Sequence, residues 1–145
     1  MTAPPFILDP QLDADTLPLG RLALSRVLMM DDARYPWLIL APERPELSEI
    51  IDLDEADRSE LMREIAACSE ALIEAFGPDK LNVGALGNRV RQLHVHVIAR
   101  FVSDQAWPGP VWGVGEARPY PPHLAGVTMD RLAAALRPFG LKDIG

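Results

Sequence analysis

Gln92-Leu93-His94-Val95-His96-Val97-Ile98 is the stretch on which the reading of this chain turns. Alternate side chains of an extended strand share a face, so Gln92, His94 and His96 are expected to point one way. Leu93, Val95 and Val97 then point the other way, toward a helix. The two imidazoles fall roughly 6.5–7 Å apart along such a strand. The strand is expected over residues 92–102. A line of polar groups backed by an apolar face is where chemistry is to be sought.

Immediately upstream, Lys80-Leu81-Asn82-Val83 reads as another strand, followed by the glycine-flanked loop Gly84-Ala85-Leu86-Gly87-Asn88. From residue 80 to residue 103 there is no Asp or Glu, although Lys80, Arg89, Arg91 and Arg100 all fall there. The rest of the chain is acidic: 21 Asp+Glu against 14 Lys+Arg give a net charge of −7. That balance excludes DNA, RNA and anionic membranes as partners, whereas a local basic pocket suits a small anionic ligand.

Working outward, 145 residues fit one domain over 1–145, and 48% hydrophobic with 24% charged residues matches ordinary globular usage. The one cysteine, Cys68, excludes an intrachain disulfide and reads as a buried thiol. No signal peptide is visible at residues 1–6, and no apolar run reaches the roughly 18 residues of a membrane span. The expectation is a small soluble cytoplasmic domain. Ala3 to Pro10 reads as extended, 9–20 as turn or one short helical turn, and 21–30 as a strand stopped by Asp31-Asp32. Trp37-Leu38-Ile39-Leu40-Ala41 makes the next strand, joined to it by a hairpin. A long helix is predicted from Asp54 to Phe76, N-capped by Asp54, stopped by Gly77-Pro78, with Leu61, Met62, Ile65, Cys68, Leu72, Ile73 and Phe76 as its apolar face. Residues 106–113 hold too much Pro and Gly for regular structure, and 128–137 reads as a final helix capped by Thr128. The whole is an α+β layer with a mostly antiparallel sheet.

Two chemistries fit the paired histidines. A His-x-His strand can ligate a metal, but a catalytic zinc site takes a third protein ligand, and His123 is distant in sequence. The other is nucleophilic attack on phosphorus by a neutral imidazole, beside a glycine loop whose N–H groups hold phosphate oxygens.

Residues 82–88, Val90 and the Gln92–Ile98 run resemble the histidine triad (HIT) motif, His-φ-His-φ-His-φ-φ preceded by an Asn/Gly-rich phosphate loop. Trp37 to Pro42, Glu46-Leu47 and Asp52-Leu53 resemble the family as well, and residues 107–113 are similar to the tail of a bacterial branch. The resemblance covers 21–113 as the motif core and leaves 114–145 as a C-terminal tail. It implies a five-stranded antiparallel sheet with one long and one or more short helices, paired into a homodimer. It implies a nucleotide hydrolase or transferase that cleaves a nucleoside monophosphate from a phosphoanhydride or phosphoramidate, with a purine nucleotide or dinucleoside polyphosphate as ligand and with neither metal nor cofactor. The alternative is a nucleotide-binding protein with little turnover. His94 falls on the nucleophile's position and His96 on that of the last, phosphate-contacting histidine. Gly87, Asn88 and Asn82 fall on phosphate-loop positions, and Arg89 joins them as a further phosphate contact. Gln92 stands where the first triad histidine belongs, within reach of substrate, and Trp37 stands where many members carry an upstream histidine. Asp31 is the expected ribose contact, and residues 107–113 are expected to wall the nucleotide site or a dimer interface.

Overall fold

Alternating apolar side chains, punctuated by Pro, Gly and Asp, organise the computed structural model, which describes residues 5–144, into five strands and three helices. Ala3 and Pro4, the start of the expected extended stretch, lie outside the described residues. Helix α1 (Pro10–Asp15) is capped by the Asp9 carboxylate, which accepts from Gln11 N. Strands β1 (Thr16–Arg21), β2 (Ser25–Met30) and β3 (Trp37–Pro42) follow. After a 3-10 turn at Ile50–Asp52 come the long α2 (Glu55–Phe76), β4 (Lys80–Gly84), β5 (Val95–Arg100) and α3 (Pro122–Leu136). All neighbouring strands are antiparallel, in the order β1-β2-β3-β5-β4. Among the described residues no helix is long and apolar enough to cross a membrane.

The sheet divides two apolar layers. Leu38, Leu40, Val95, Val97 and Ala99 pack against Leu61, Cys68, Leu72 and Leu132 of α2 and α3. Trp37, Ile39 and Ile98 face the other side, under Leu8, Leu12 and Val111. Helix α2 begins where the sequence predicts: Asp54 accepts from Asp57 N, and Gly77 closes the end at φ 57°, a left-handed conformation that favours glycine.

Four expectations are corrected. The 21–30 segment is not one strand. The chain reverses at residues 22–24, where Leu22 N donates to Ser25 O and Leu24 N to the buried Glu64 of α2. The preceding residues supply an additional strand, β1, whose register shifts between Pro18 and Gly20; proline is tolerated there because β1 is an edge strand. Strand β5 runs only over Val95–Arg100. Leu93 N donates to Leu47 O instead of the sheet, and carboxylates of Asp104 and Asp79 take Phe101 N and Val102 N. Helix α3 starts at Pro122, a residue preset for the first helical position, so Thr128 is a buried mid-helix residue and not a cap. On α2, Met62 and Ile73 are exposed, and the buried face runs instead through Glu64, Ala67 and Ala71.

Candidate functional site

His94 immediately precedes β5 and His96 is its second residue; they are 6% and 5% exposed, so both imidazoles are almost wholly enclosed. Their ring centroids lie 4.9 Å apart. His94 Nδ1 is 2.7 Å from the Gln92 carbonyl oxygen. A carbonyl only accepts, so Nδ1 carries a proton, and in the neutral ring Nε2 is the nitrogen with the lone pair. His94 borders a pocket of about 220 Å³, with Ser48, Glu49, Ile50 and Ile51 on one side and Ala85, Leu86 and Gly87 on the other.

His96 is held differently. The indole Nε1–H of Trp37 donates to His96 Nδ1 at 3.0 Å. Trp37 pairs with Ile98 in the β3–β5 ladder, which makes His96 its diagonal neighbour. Trp112 stands edge-on to both, 5.2 Å from His96 and 6.1 Å from Trp37. Burial, with the neighbouring His94 adding to it, pushes the His96 pKa down to about 3. The irregular segment that carries Trp112 is anchored by Trp107 N on Asp104, by Val114 O on Arg34, and by Tyr120 N on Asp31.

The glycine loop meets the same pocket. Gly87 has φ +69°, a backbone conformation that suits glycine, and it also borders an adjoining pocket lined by Asn88, Arg89, Arg91 and Glu49. Arg89 and Arg91 thus line a pocket that shares Ser48, Glu49, Leu86 and Gly87 with the His94 pocket. Asn82 lies on β4, where its Oδ1 accepts from Arg100 Nη1 at 2.7 Å. Arg100 is 1% exposed and forms a two-pronged ion pair with Asp104, at 2.8 and 2.9 Å. The hydrogen bonds from Arg100, before any other cause, hold the Asp104 carboxyl below its usual range.

Two expected positions are altered. Gln92 precedes β5, and its amide is engaged on both atoms: Oε1 accepts from Asp9 N and Nε2 donates to Ile7 O, each at 2.9 Å. It borders the His94 pocket while fastening the N-terminal segment. Asp31 borders a separate pocket of about 430 Å³ together with Met30, Trp37 and Trp112, which shares no lining residue with the first. His123 is exposed at the start of α3, and among the described residues no group of three His, Cys, Asp or Glu is placed to hold a metal. Cys68 is fully buried, and burial, followed by the charge of Glu64, raises its pKa to about 12, which makes it inert.

Sequence reasoning did not reach Asp104 or the Trp37–His96 contact, and it named Arg100 only as part of the basic, acid-free stretch. Strand parity carries Arg100 onto the face of His94 and His96, and that signal was available. The pairing of Trp37 with His96 depends on the β3–β5 register, which no local pattern shows.

A five-stranded antiparallel sheet carrying two imidazoles beside a glycine loop defines the class, and the HIT-domain family model matches residues 12–103. The chain belongs to the histidine triad family, which includes nucleotide hydrolases and transferases. It is 47% identical to a histidine triad protein from Bradyrhizobium japonicum, with a TM-score of 0.90, covering 92% of this chain and 99% of that one. It is 45% identical to one from Sinorhizobium meliloti, with a TM-score of 0.88 and coverage of 90% and 97%. It is 42% identical to one from Marinobacter aquaeolei, with a TM-score of 0.92 and coverage of 94% and 100%. Among curated proteins, none matches.

Proposed function

We propose that this protein transfers or hydrolyses a nucleoside monophosphate held in a phosphoanhydride or phosphoramidate, through a covalent nucleotidyl-His94. The observation that carries the reading is the His94 tautomer. Nδ1–H bonds to the Gln92 carbonyl, so Nε2 is a lone-pair nitrogen on a ring that borders the glycine-loop pocket. His94 Nε2 attacks the α-phosphorus, the bond to the leaving group breaks, and water then cleaves the P–N bond to release the monophosphate. Charge on the transferring group is met by loop N–H groups at Gly87 and Asn88, by Arg89, by the Asn82 amide and by His96. Gln92 orients His94 through its backbone carbonyl and lines the substrate pocket, and Asp31 takes the ribose of a purine nucleotide from the neighbouring pocket. The outer edge of β4, with Val83 51% exposed, suits pairing with a second copy of the chain.

The test is intact mass at early times after mixing with diadenosine polyphosphates and nucleoside phosphoramidates. A nucleotidyl adduct that forms and decays, and is absent in His94→Ala, supports the enzyme. A second reading, a nucleotide binder with little turnover, is favoured by the Gln92 amide, which does not titrate and is bonded to backbone on both atoms. Tight nucleotide binding with neither adduct nor product selects it.

A further inference from the structure

We propose that Trp37 is a positioning residue that locks His96 as a neutral imidazole protonated on Nε2, and that this withdraws His96 as a general acid and favours substrates whose leaving group departs as an anion. The inference rests on the enzymatic reading above and narrows its substrate class to phosphoanhydrides.

The lock follows from donor chemistry. An indole N–H donates and never accepts, so the nitrogen it meets, His96 Nδ1, must offer a lone pair. The neutral ring then carries its proton on Nε2. Protonating Nδ1 would set two N–H groups against each other inside a site where His96 is 5% exposed. The groups packed against His96 are His94 just before its strand, Trp37 and Ile39 of β3, Gly84 of β4, and Trp112. Of these only His94 is titratable. Arg100, four residues along the same face, is committed to Asp104 and Asn82. Among the described residues no carboxylate is hydrogen-bonded to the ring to favour its cation, and the lowered pKa of His96 agrees with that placement.

The chemical consequence concerns the departing atom. In a phosphoanhydride, His94 Nε2 forms a bond to phosphorus while the P–O bond breaks, and the leaving oxygen carries the electron pair away as a stable phosphate anion. No proton is required. Water then attacks the same phosphorus, its proton passes to solvent, and the P–N electron pair returns to His94. In a phosphoramidate the P–N bond breaks toward an amine, which must gain a proton as it leaves. A neutral imidazole N–H is a poor acid, Trp37 cannot pass a proton on to it, and Gln92 does not titrate. General-acid assistance of this kind is worth about 100-fold or more.

Two measurements on the wild-type chain test this without depending on a variant that folds. Nitrogen-15 spectra of His96 are expected to show the Nε2–H tautomer, unchanged between about pH 5 and 8. The kcat/KM for diadenosine triphosphate is expected to exceed that for adenosine 5′-phosphoramidate by about 100-fold or more, and Trp37→His, which restores a titratable ring, is expected to narrow that ratio. His96 protonated on Nδ1 or titrating in that range, or a phosphoramidate cleaved as fast as the anhydride, overturns the inference and leaves the enzymatic reading standing. Turnover of neither compound, with no adduct on His94, overturns both.

Discussion

Arg100 Nη1 donates to Asn82 Oδ1 at 2.7 Å across the β4–β5 ladder, and the bond fixes which end of that amide is free. With its oxygen held, Asn82 presents its NH2 group as the remaining donor. The same guanidinium grips Asp104, whose carboxylate also accepts from Phe101 N and Trp107 N. One buried cation thereby ties the Asn82 amide of β4 to the segment that sets Trp112 beside His96.

Replacing that cation is expected to be severe. Arg100→Met strands the Asp104 charge, which is 4% exposed, and breaking a buried pair from one side costs about 3–5 kcal/mol. Arg100→Lys keeps the charge but cannot make the two-pronged contact, so its loss is expected to be smaller. Urea unfolding ranks the three proteins, and equal stability of Arg100→Met and wild type would remove the node from the account. The pH dependence has a definite sign. Asp104 is more acidic folded than unfolded, chiefly through its hydrogen bonds to Arg100, so its contribution is present above the ordinary carboxylate value of 3.8. That contribution disappears as pH falls through the folded value, and Asp104→Asn is expected to flatten the acid limb of stability against pH.

Gln92 is expected to matter for the N-terminal segment before it matters for chemistry. Gln92→Ala removes two side-chain-to-backbone hydrogen bonds, at about 0.5–1.5 kcal/mol each, and unfastens residues 7–9. Faster amide exchange at Asp9, with kcat within about tenfold of wild type, is the expected outcome. A collapse of kcat with Asp9 still protected would return Gln92 to a direct role.

His94→Ala is expected to lower kcat by several orders of magnitude, as loss of a nucleophile does. The substitution also frees the Gln92 carbonyl, so circular dichroism and melting must first show an intact fold. Retained turnover in a folded His94→Ala protein would move the covalent step elsewhere.

Much of this arrangement is legible in the residues. The Asp54 cap, the Gly77 stop and the apolar period of α2 are local signals, and the helix forms where they place it. Strand parity puts His94 and His96 on one face, and of the four basic residues in the acid-free segment from 80 to 103, Arg89 and Arg91 border the pocket system, together with Glu49 from outside it. What was not legible depends on partners far along the chain. Strand β1 hides behind Pro18 and Gly20, and the reversal at 22–24 is held by Glu64, forty residues away. Gln92 leaves its strand because Leu47 O captures Leu93 N, and Trp37 reaches His96 only through the sheet register. Polar side chains that bond to distant backbone leave no period in the sequence.

Glu64 offers the last test, because its charge and its hydrogen bond can be separated. The carboxylate is 3% exposed, and Oε2 accepts from Leu24 N at 2.7 Å, holding the turn between β1 and β2. Burial raises its pKa above 4.5, outweighing the stabilising hydrogen bond from Leu24. The folded protein therefore binds more protons than the unfolded chain between 4.5 and the folded value. Stability falls as pH rises through that window and stays lowered above it. Glu64→Gln keeps an oxygen for Leu24 N and cannot ionise, so it is expected to be more stable than wild type at about pH 8 and to show a flatter profile. Glu64→Ala leaves Leu24 N without its acceptor and is expected to lose about 1–3 kcal/mol. Thermal melts of the three proteins across pH decide the matter. If Glu64→Gln loses as much as Glu64→Ala at every pH, then the ionised carboxylate itself, and not an oxygen acceptor alone, is what the hairpin needs.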